Sequence, residues 1–133
     1  MRFYRGLQPF KVMSFDLDDT LYDNSHVIRL AEERFLQCVQ EHAKLSELTS
    51  EYWRKYKWQL AKKDPLIAED VIAWRIETLR NLLIHHGKSA VEIDRTLALA
   101  MEEFIEWRHK IDVPAESIEV LNQLKDRYPL SVI

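Results

Sequence analysis

The sequence contains little cysteine, little glycine and no strong excess of charge of either sign. Its one cysteine, Cys38, excludes an internal disulfide and a zinc site built from several thiolates, so a reducing compartment such as the cytoplasm is expected. Its two glycines, Gly6 and Gly87, exclude a glycine-rich phosphate-binding loop. The 19 Lys and Arg against 22 Asp and Glu give a net charge of -3, which is too balanced for a protein that mainly binds nucleic acid or an anionic membrane. A small-molecule partner is therefore expected.

Long apolar runs are also missing. The N-terminal stretch MRFYRGLQPFKVMSF is interrupted by Arg5, Gln8, Pro9 and Lys11, and no later segment approaches the length that spans a bilayer. The sequence therefore predicts neither a membrane span nor a targeting segment. What is present is 133 residues with 47% apolar and 31% charged residues, which is the balance of one globular domain with a buried core.

The hydrophobic pattern predicts a strand, then several helices, then a second strand. Lys11 to Phe15 is a short apolar run that indicates a buried strand. Helical spacing predicts helices over about residues 25–45, 49–63, 67–86 and 89–108, followed by a shorter helix whose first residue is Pro114. Leu130 to Ile133 then indicates a second strand.

Local signals specify the faces and ends of these helices. Gly87 predicts a left-handed cap at the end of the third helix, and Ser89 with Glu92 predicts a capping box at the start of the fourth. One side of the first helix is predicted to face the core, and it carries Val27, Ala31, Phe35, Cys38, Val39 and His42. The third helix is predicted to bury Val71, Trp74, Leu79 and Leu83.

This order of elements is a βαβ unit whose crossover contains an inserted helical bundle. The predicted fold class is α/β, with an incomplete Rossmann-like core of two parallel strands (residues 1–22 and 113–133) and an inserted four-helix cap (residues 23–112). The sequence ends inside the second predicted strand, and the core portion is only about forty residues long, near the lower limit for independent folding. We therefore expect the 133 residues to be the N-terminal part of a longer protein.

The segment SFDLDDTL places three carboxylates directly after the first predicted strand. A carboxylate at this position is a good nucleophile toward phosphorus when a divalent cation offsets the repulsion of the phosphate, and Asp16 is predicted to have that role. Asp18 is placed to protonate a departing alkoxide and then to accept a proton from water. Backbone N–H groups of the turn, at Leu17 and Asp18, are predicted to bind the phosphoryl oxygens, with Thr20 holding the turn. Hard oxygen ligands at Asp16 and Asp18 favour Mg²⁺.

Other interpretations of these acids fit less well. A calcium loop of the EF-hand type would need a glycine, a distant glutamate and a preceding helix, and the sequence has none of these here. A polar turn or helix cap explains one acid, and Asp19 is assigned that role, but it does not explain three acids beside an apolar strand.

The motif FDLDDTLYD resembles the first signature of the haloacid dehalogenase-like hydrolases, an apolar strand followed by Asp-x-Asp-x-Thr. The resemblance implies a Rossmann-like core with a helical cap, Asp16 as the nucleophile that forms an aspartyl-phosphate, Asp18 as the acid and base that also gives Mg²⁺ its backbone carbonyl, and Thr20 as support for the loop. In the dehalogenases of this family the position of Asp18 is not an acid, so Asp18 implies a phosphate ester as substrate.

A closer similarity to certain bacterial phosphatases of the family is carried by the segments MRFYR, LDDTLYDN, DVIAWR and EWRHKIDVP. It implies as substrate a small phosphorylated metabolite, either flavin mononucleotide (FMN) or 5-amino-6-(5-phosphoribitylamino)uracil. The family also has, after the second strand, a phosphate-binding Ser or Thr, a Lys and an acidic pair, which cannot be assigned to residues of this sequence. The 133-residue chain alone is thus expected to be inactive. The alternative is a non-catalytic module that pairs with another chain through an exposed sheet edge.

Several other residue clusters favour structural explanations. The aromatic residues at helical spacing, which include Trp53, Trp58, Trp74 and Trp107, are expected to be mainly core, with an aromatic clamp for a ring as the alternative. The basic positions between Arg54 and Lys63 are expected to form a solvated helix face without nucleic-acid binding. Neither His85 and His86 nor Cys38 indicates a metal site.

Overall fold

A computed structural model describes residues 10–133 of the chain. Within this range the chain forms two strands, five α-helices and one 3-10 helix. The elements are β1 (Met13–Phe15), α1 (Asn24–Ala43), α2 (Ser50–Lys63), the 3-10 helix (Pro65–Glu69), α3 (Val71–His85), α4 (Ala90–Arg108), α5 (Ala115–Lys125) and β2 (Leu130–Val132). The predicted order of strand, helices and strand is confirmed.

The two strands form a parallel pair. Met13, Ser14 and Phe15 lie opposite Leu130, Ser131 and Val132. The pairing is bounded by a hydrogen bond from Met13 N–H to the Pro129 carbonyl (3.1 Å) and one from Ile133 N–H to the Phe15 carbonyl (3.0 Å). β1 is shorter than predicted, because Lys11 and Val12 lie outside the pairing with β2. The predicted α/β class with parallel strands is confirmed.

The described chain divides into two compact units. One consists of residues 10–26 together with 111–133, and the other is Val27–Lys110. The boundary falls within α1, after His26. The domain limits expected from the sequence, at 22/23 and 112/113, stay a prediction.

The hydrophobic core lies in the helical unit. Phe35 from α1 contacts Trp53 of α2 (ring centroids 5.1 Å apart) and Phe104 of α4 (6.3 Å). Leu79 and Leu83 of α3 are fully buried in the same cluster. Side chains from four helices therefore meet around one aromatic centre, and their removal from water provides the main stabilisation of this unit.

The third predicted helix is divided into a 3-10 helix and α3. Asp70 between them has extended backbone angles, and its carboxylate accepts hydrogen bonds from the N–H groups of Ile72 and Ala73 (2.9 Å each). Asp70 is thus an N-cap, so the prediction of one continuous helix from Ile67 was wrong. Asp70 is a capping residue, but the apolar periodicity continues across it, so the break in the helix was not predicted.

The predicted helix ends at Gly87 and Ser89 are confirmed. Gly87 has φ +69°, and the following Lys88 N–H donates to the Leu83 carbonyl (3.0 Å), as in a Schellman cap. Ser89 and Glu92 exchange the reciprocal hydrogen bonds of a capping box. Pro114 precedes α5 as its N-cap and is not its first residue.

Two expectations about buried faces were wrong. His42 is exposed, because Ala43 occupies the buried position at the end of α1. Val71 is 56% exposed at the first turn of α3. Of the tryptophans, which were expected to be mainly core, Trp53 and Trp74 are buried and Trp107 packs against the core, whereas Trp58 is 57% exposed.

The strand-containing unit exposes much of its apolar surface. α5 contains no buried residue, and Ile118 and Val120 on it are 48% and 50% exposed. A cavity of about 270 Å³ is lined by Phe15, Leu21, Leu121, Asn122, Lys125, Leu130, Ser131 and Val132. Among the helices of residues 10–133, none combines the length and the apolar character needed to cross a bilayer.

Candidate active site

Asp16 is the first residue after β1, at the carboxyl end of the strand. Asp16 is exposed, so a ligand can reach its side chain from solvent. Open α/β sheets bind ligands at the carboxyl ends of their strands, because the chain leaves the sheet there and frees polar groups. Asp16 therefore has the placement that a nucleophile requires.

The chain leaves β1 through a tight turn closed on the Leu17 carbonyl. This oxygen accepts hydrogen bonds from the N–H groups of Thr20 (3.3 Å) and Leu21 (3.0 Å). Asp19 within the turn has φ +57°, a left-handed conformation that Asp tolerates better than most residues. The N–H groups of Thr20 and Leu21 thus hold the turn itself. Binding of a phosphoryl group by the backbone of Leu17 and Asp18 stays a prediction.

Asp18 is held through both of its carboxylate oxygens. The Tyr22 hydroxyl donates a hydrogen bond to Oδ1, and the Asn24 side-chain amide donates to Oδ2 at 3.0 Å. Tyr22 is buried, with 7% of its surface exposed, and Asn24 is the first residue of α1. The Asp18 carboxylate is therefore fixed against the segment that leads into α1.

The two remaining acids of the loop are helix caps. Asp19 accepts the backbone N–H of Asn24 at 2.9 Å, which confirms the cap role predicted for it. Asp23 accepts the backbone N–H of Ser25 (2.9 Å) and its hydroxyl (2.5 Å). These hydrogen bonds hold the pKa of the Asp23 carboxyl below its usual value. Asp19 and Asp23 thus stabilise the start of α1, which carries the Asn24 partner of Asp18.

Asp16 and Asp18 offer carboxylate and backbone oxygens, the ligand type that Mg²⁺ prefers. Mg²⁺ commonly takes one or two protein carboxylates and completes its octahedron with waters and substrate phosphate, so these residues fit it. Within residues 10–133 no group of three or more His, Cys, Asp or Glu side chains is close enough to hold a metal ion. A complete metal cage is thus not formed by described side chains alone.

A cavity of about 350 Å³ lies beside this loop. It is lined by Asp19, Thr20, Leu21, Tyr22, Asp23, Pro114 and Ser117. Thr20 faces it together with the ring of Tyr22, while Asp16 and Asp18 do not line it. The roles predicted for Asp16, Leu17, Asp18 and Thr20 stay predictions, although the structure brings all four residues into one short loop.

Sequence reasoning missed Tyr22 and Asn24. Both lie in the segment YDN directly after the acidic motif, and a phenol and an amide so close to a carboxylate are a usable signal. Their hydrogen bonds to Asp18 depend on the left-handed turn at Asp19, which the residue pattern does not specify.

The whole chain is similar to a curated bacterial enzyme. It is 37% identical over 134 residues to 5-amino-6-(5-phospho-D-ribitylamino)uracil phosphatase YigB of Escherichia coli strain K12. The match covers 100% of this chain and 56% of the relative, so the chain spans about half the length of the protein it matches. No protein-family model matches the sequence.

A solved structure shares the fold. The crystal structure of 2-haloacid dehalogenase from Pseudomonas syringae pv. Tomato DC3000 superposes with a TM-score of 0.75 and 28% identity. The superposition covers 93% of this chain and 54% of the dehalogenase. Together with the acidic motif after β1, these two similarities show that the chain resembles the haloacid dehalogenase-like hydrolases in sequence and has an α/β fold with a helical cap like theirs.

Proposed function

We propose that the protein is a Mg²⁺-dependent phosphomonoester hydrolase that works through an aspartyl-phosphate on Asp16. The observation that carries the proposal is the loop after β1, where Asp16 is exposed at the strand end and Asp18 is held two residues later by Tyr22 and Asn24. The similarity to a phosphatase over the whole chain supports it.

The proposed reaction has two steps. In the first, an Asp16 carboxylate oxygen attacks phosphorus, the bond to the leaving oxygen breaks, and Asp18 gives its proton to the departing alkoxide. In the second, Asp18 takes a proton from water, which attacks the phosphorus of the aspartyl-phosphate and releases inorganic phosphate and free Asp16. Bound Mg²⁺ would offset the negative charge of Asp16 and the phosphate. The backbone N–H groups of Leu17 and Asp18 would bind the phosphoryl oxygens, and Thr20 would stabilise the turn.

A phosphate ester is favoured over a haloacid although the superposed structure is a dehalogenase. A halide is a stable leaving anion and needs no proton, whereas an alkoxide does, so an acid at position 18 is useful only for an ester. The name of the curated relative gives 5-amino-6-(5-phospho-D-ribitylamino)uracil, which supports a substrate of this class. We propose that compound or FMN as substrate, with the cytoplasm as the compartment.

The central test is hydrolysis by the protein as its gene encodes it, with and without Mg²⁺. FMN, the ribitylaminouracil phosphate, p-nitrophenyl phosphate and 2-chloropropionate form the substrate panel. Release of phosphate that needs Mg²⁺, without release of chloride, is expected. Asp16→Asn should abolish turnover, whereas Asp126→Asn, which changes an exposed acid at the end of α5 in the same unit, should retain most of it. Unchanged turnover in Asp16→Asn would end the proposal.

The expected inactivity of the isolated 133-residue chain stays a prediction, as does the alternative of a module that pairs with another chain. The exposed apolar residues on α5 and the short β1–β2 sheet favour such pairing. Sedimentation of the 133-residue polypeptide tests the pairing, and its rate of p-nitrophenyl phosphate hydrolysis tests the inactivity. A monomeric 133-residue chain with Mg²⁺-dependent turnover of p-nitrophenyl phosphate would contradict both.

A further inference from the structure

The Asp18 carboxylate has a different kind of donor on each of its oxygens. The Tyr22 hydroxyl donates to Oδ1, and the Asn24 amide nitrogen donates to Oδ2 at 3.0 Å. A hydroxyl can either donate or accept a hydrogen bond, whereas an amide nitrogen can only donate. The two oxygens of Asp18 are therefore chemically distinct in this structure.

Both donors are anchored by contacts other than their hydrogen bonds to the Asp18 carboxylate. The Tyr22 ring is buried, and its backbone forms an isolated parallel bridge with residue 18. The backbone N–H of Asn24 is fixed by Asp19 at the start of α1. Because the donors are held by backbone contacts and burial, they orient the carboxylate and are not simply carried along by it.

We propose that Tyr22 and Asn24 are positioning residues for proton transfer by Asp18. This inference rests on the proposed function. The hydrogen bonds from the Tyr22 hydroxyl to Oδ1 and from the Asn24 amide to Oδ2 fix the direction in which the Asp18 carboxyl group points. As the ester bond breaks, the O–H bond of the Asp18 carboxyl group breaks and the proton moves to the leaving oxygen. In the second step the Asp18 carboxylate regains a proton from the attacking water.

The chemistry predicts an effect that depends on the leaving group. An alkyl phosphate such as FMN releases a strongly basic alkoxide and needs the proton, whereas p-nitrophenolate leaves readily without it. Loss of correct Asp18 orientation should thus slow FMN hydrolysis much more than p-nitrophenyl phosphate hydrolysis. A purely structural role would slow both substrates by the same factor.

The test measures kcat/KM of Tyr22→Phe and Asn24→Leu on both substrates, in the protein as its gene encodes it with Mg²⁺, because the second step is common to the two substrates and kcat/KM reports the first step. The expected loss of kcat/KM on FMN exceeds that on p-nitrophenyl phosphate by about tenfold or more, because general acids contribute roughly 10²–10⁴-fold. Asp18→Asn should show the same bias to a larger extent. Equal losses on the two substrates, or no loss, would overturn the inference.

Controls separate this inference from the proposed function and from misfolding. Tyr22→Phe keeps the buried ring, and Tyr128→Phe removes a hydroxyl elsewhere in the same unit, where the ring lies 4.9 Å from that of Phe10. Tyr128→Phe should leave the FMN to p-nitrophenyl phosphate ratio unchanged. If Asp16→Asn stops turnover while Tyr22→Phe shows no leaving-group bias, only the positioning role fails. If Asp16→Asn is fully active, the proposed function fails first.

Discussion

The Glu32 carboxylate on α1 lies 3.7 Å from the guanidinium of Arg75 on α3. The Arg75 side chain is only 4% exposed, and its guanidinium carbon lies 3.7 Å from the ring centroid of Phe104. Glu32 also accepts a hydrogen bond from the Trp53 indole at 3.1 Å. One carboxylate therefore links three helices, and it does so beside the most deeply buried positive charge of the helical unit.

Replacing Glu32 by Gln is expected to destabilise the helical unit. Burial lowers the pKa of Arg75, and the charge of Glu32 offsets part of that effect. The Arg75 Nε has no hydrogen-bond partner in the described chain, so the loss of Glu32 leaves the guanidinium with still less compensation. Because the Glu32 side chain is one third exposed, we expect a loss of about 1–3 kcal/mol in the free energy of unfolding, below the cost of breaking a fully buried pair. Urea unfolding measures it.

Glu33 provides the matched control for Glu32. It pairs with Arg29 at 3.0 Å on the exposed face of the same helix. Glu33→Gln should change the free energy of unfolding by less than about 0.5 kcal/mol. The double variant Glu32→Gln with Arg75→Met should recover much of the loss, because an apolar chain can replace a buried charge that has no partner. Equal effects of Glu32→Gln and Glu33→Gln would contradict this view of Arg75.

Replacing Gly87 by Ala should cost about 1 kcal/mol through backbone strain alone. Gly87 has φ +69°, and a Cβ placed there meets no other atom within 4 Å. No steric clash contributes, so Gly87→Asn should cost less, because Asn adopts the left-handed conformation more readily. Thermal unfolding of the two variants gives the comparison. Equal costs for Ala and Asn would show that strain is not the cause.

The helices could be predicted because their signals are local. Apolar spacing, Gly87 and the Ser89–Glu92 pair each act within a few residues, and the structure confirms them. The break at Asp70 was missed because the apolar pattern continues through it, and the exposure of Trp58 was missed because helical spacing alone does not show where packing stops.

The hydrophobic pattern of the sequence does not show which residues from distant parts of the chain are in contact. Arg75 is buried beside Glu32 and Phe104, which come from distant parts of the chain. Similarly, the motif places Asp16 and Asp18 in one loop, but the hydrogen bonds of Asp18 to Tyr22 and Asn24 require the turn conformation at Asp19. The sequence thus predicted the chemical groups of the candidate site and not their orientation.

The capping box at α4 is expected to make stability depend on pH in the acid range. Hydrogen bonds from the hydroxyl and backbone N–H of Ser89 lower the pKa of Glu92. Because the pKa of Glu92 is lowered in the folded state, the contribution of its hydrogen bonds to stability is present above the pKa of Glu92 in the unfolded chain. It is lost as the pH falls through the pKa of Glu92 in the folded chain.

Ser89→Ala should cost about 1 kcal/mol in the free energy of unfolding at neutral pH. The difference between wild type and Glu92→Gln should shrink on acidification, as measured by urea unfolding at a series of pH values. A difference independent of pH would contradict the assignment.

Cys38 is expected to react slowly with thiol reagents in the folded protein. It is 7% exposed, and burial raises the pKa of its thiol, with further increases from the carboxylates of Glu103 and Glu41. The neutral thiol is thus favoured by folding, a contribution that is present below the pKa of the unfolded thiol and lost as the pH rises through that of the folded one. Because the thiolate is the reactive form, labelling with a disulfide reagent should be much slower in buffer than in urea at the same pH.

Glu103→Gln should accelerate labelling, whereas Glu102→Gln, a change at an exposed neighbour on the same helix, should not. Since Cys38 is the one cysteine, its labelling rate reports directly on opening of the helical unit, and equally fast labelling in buffer would show that its surroundings open freely.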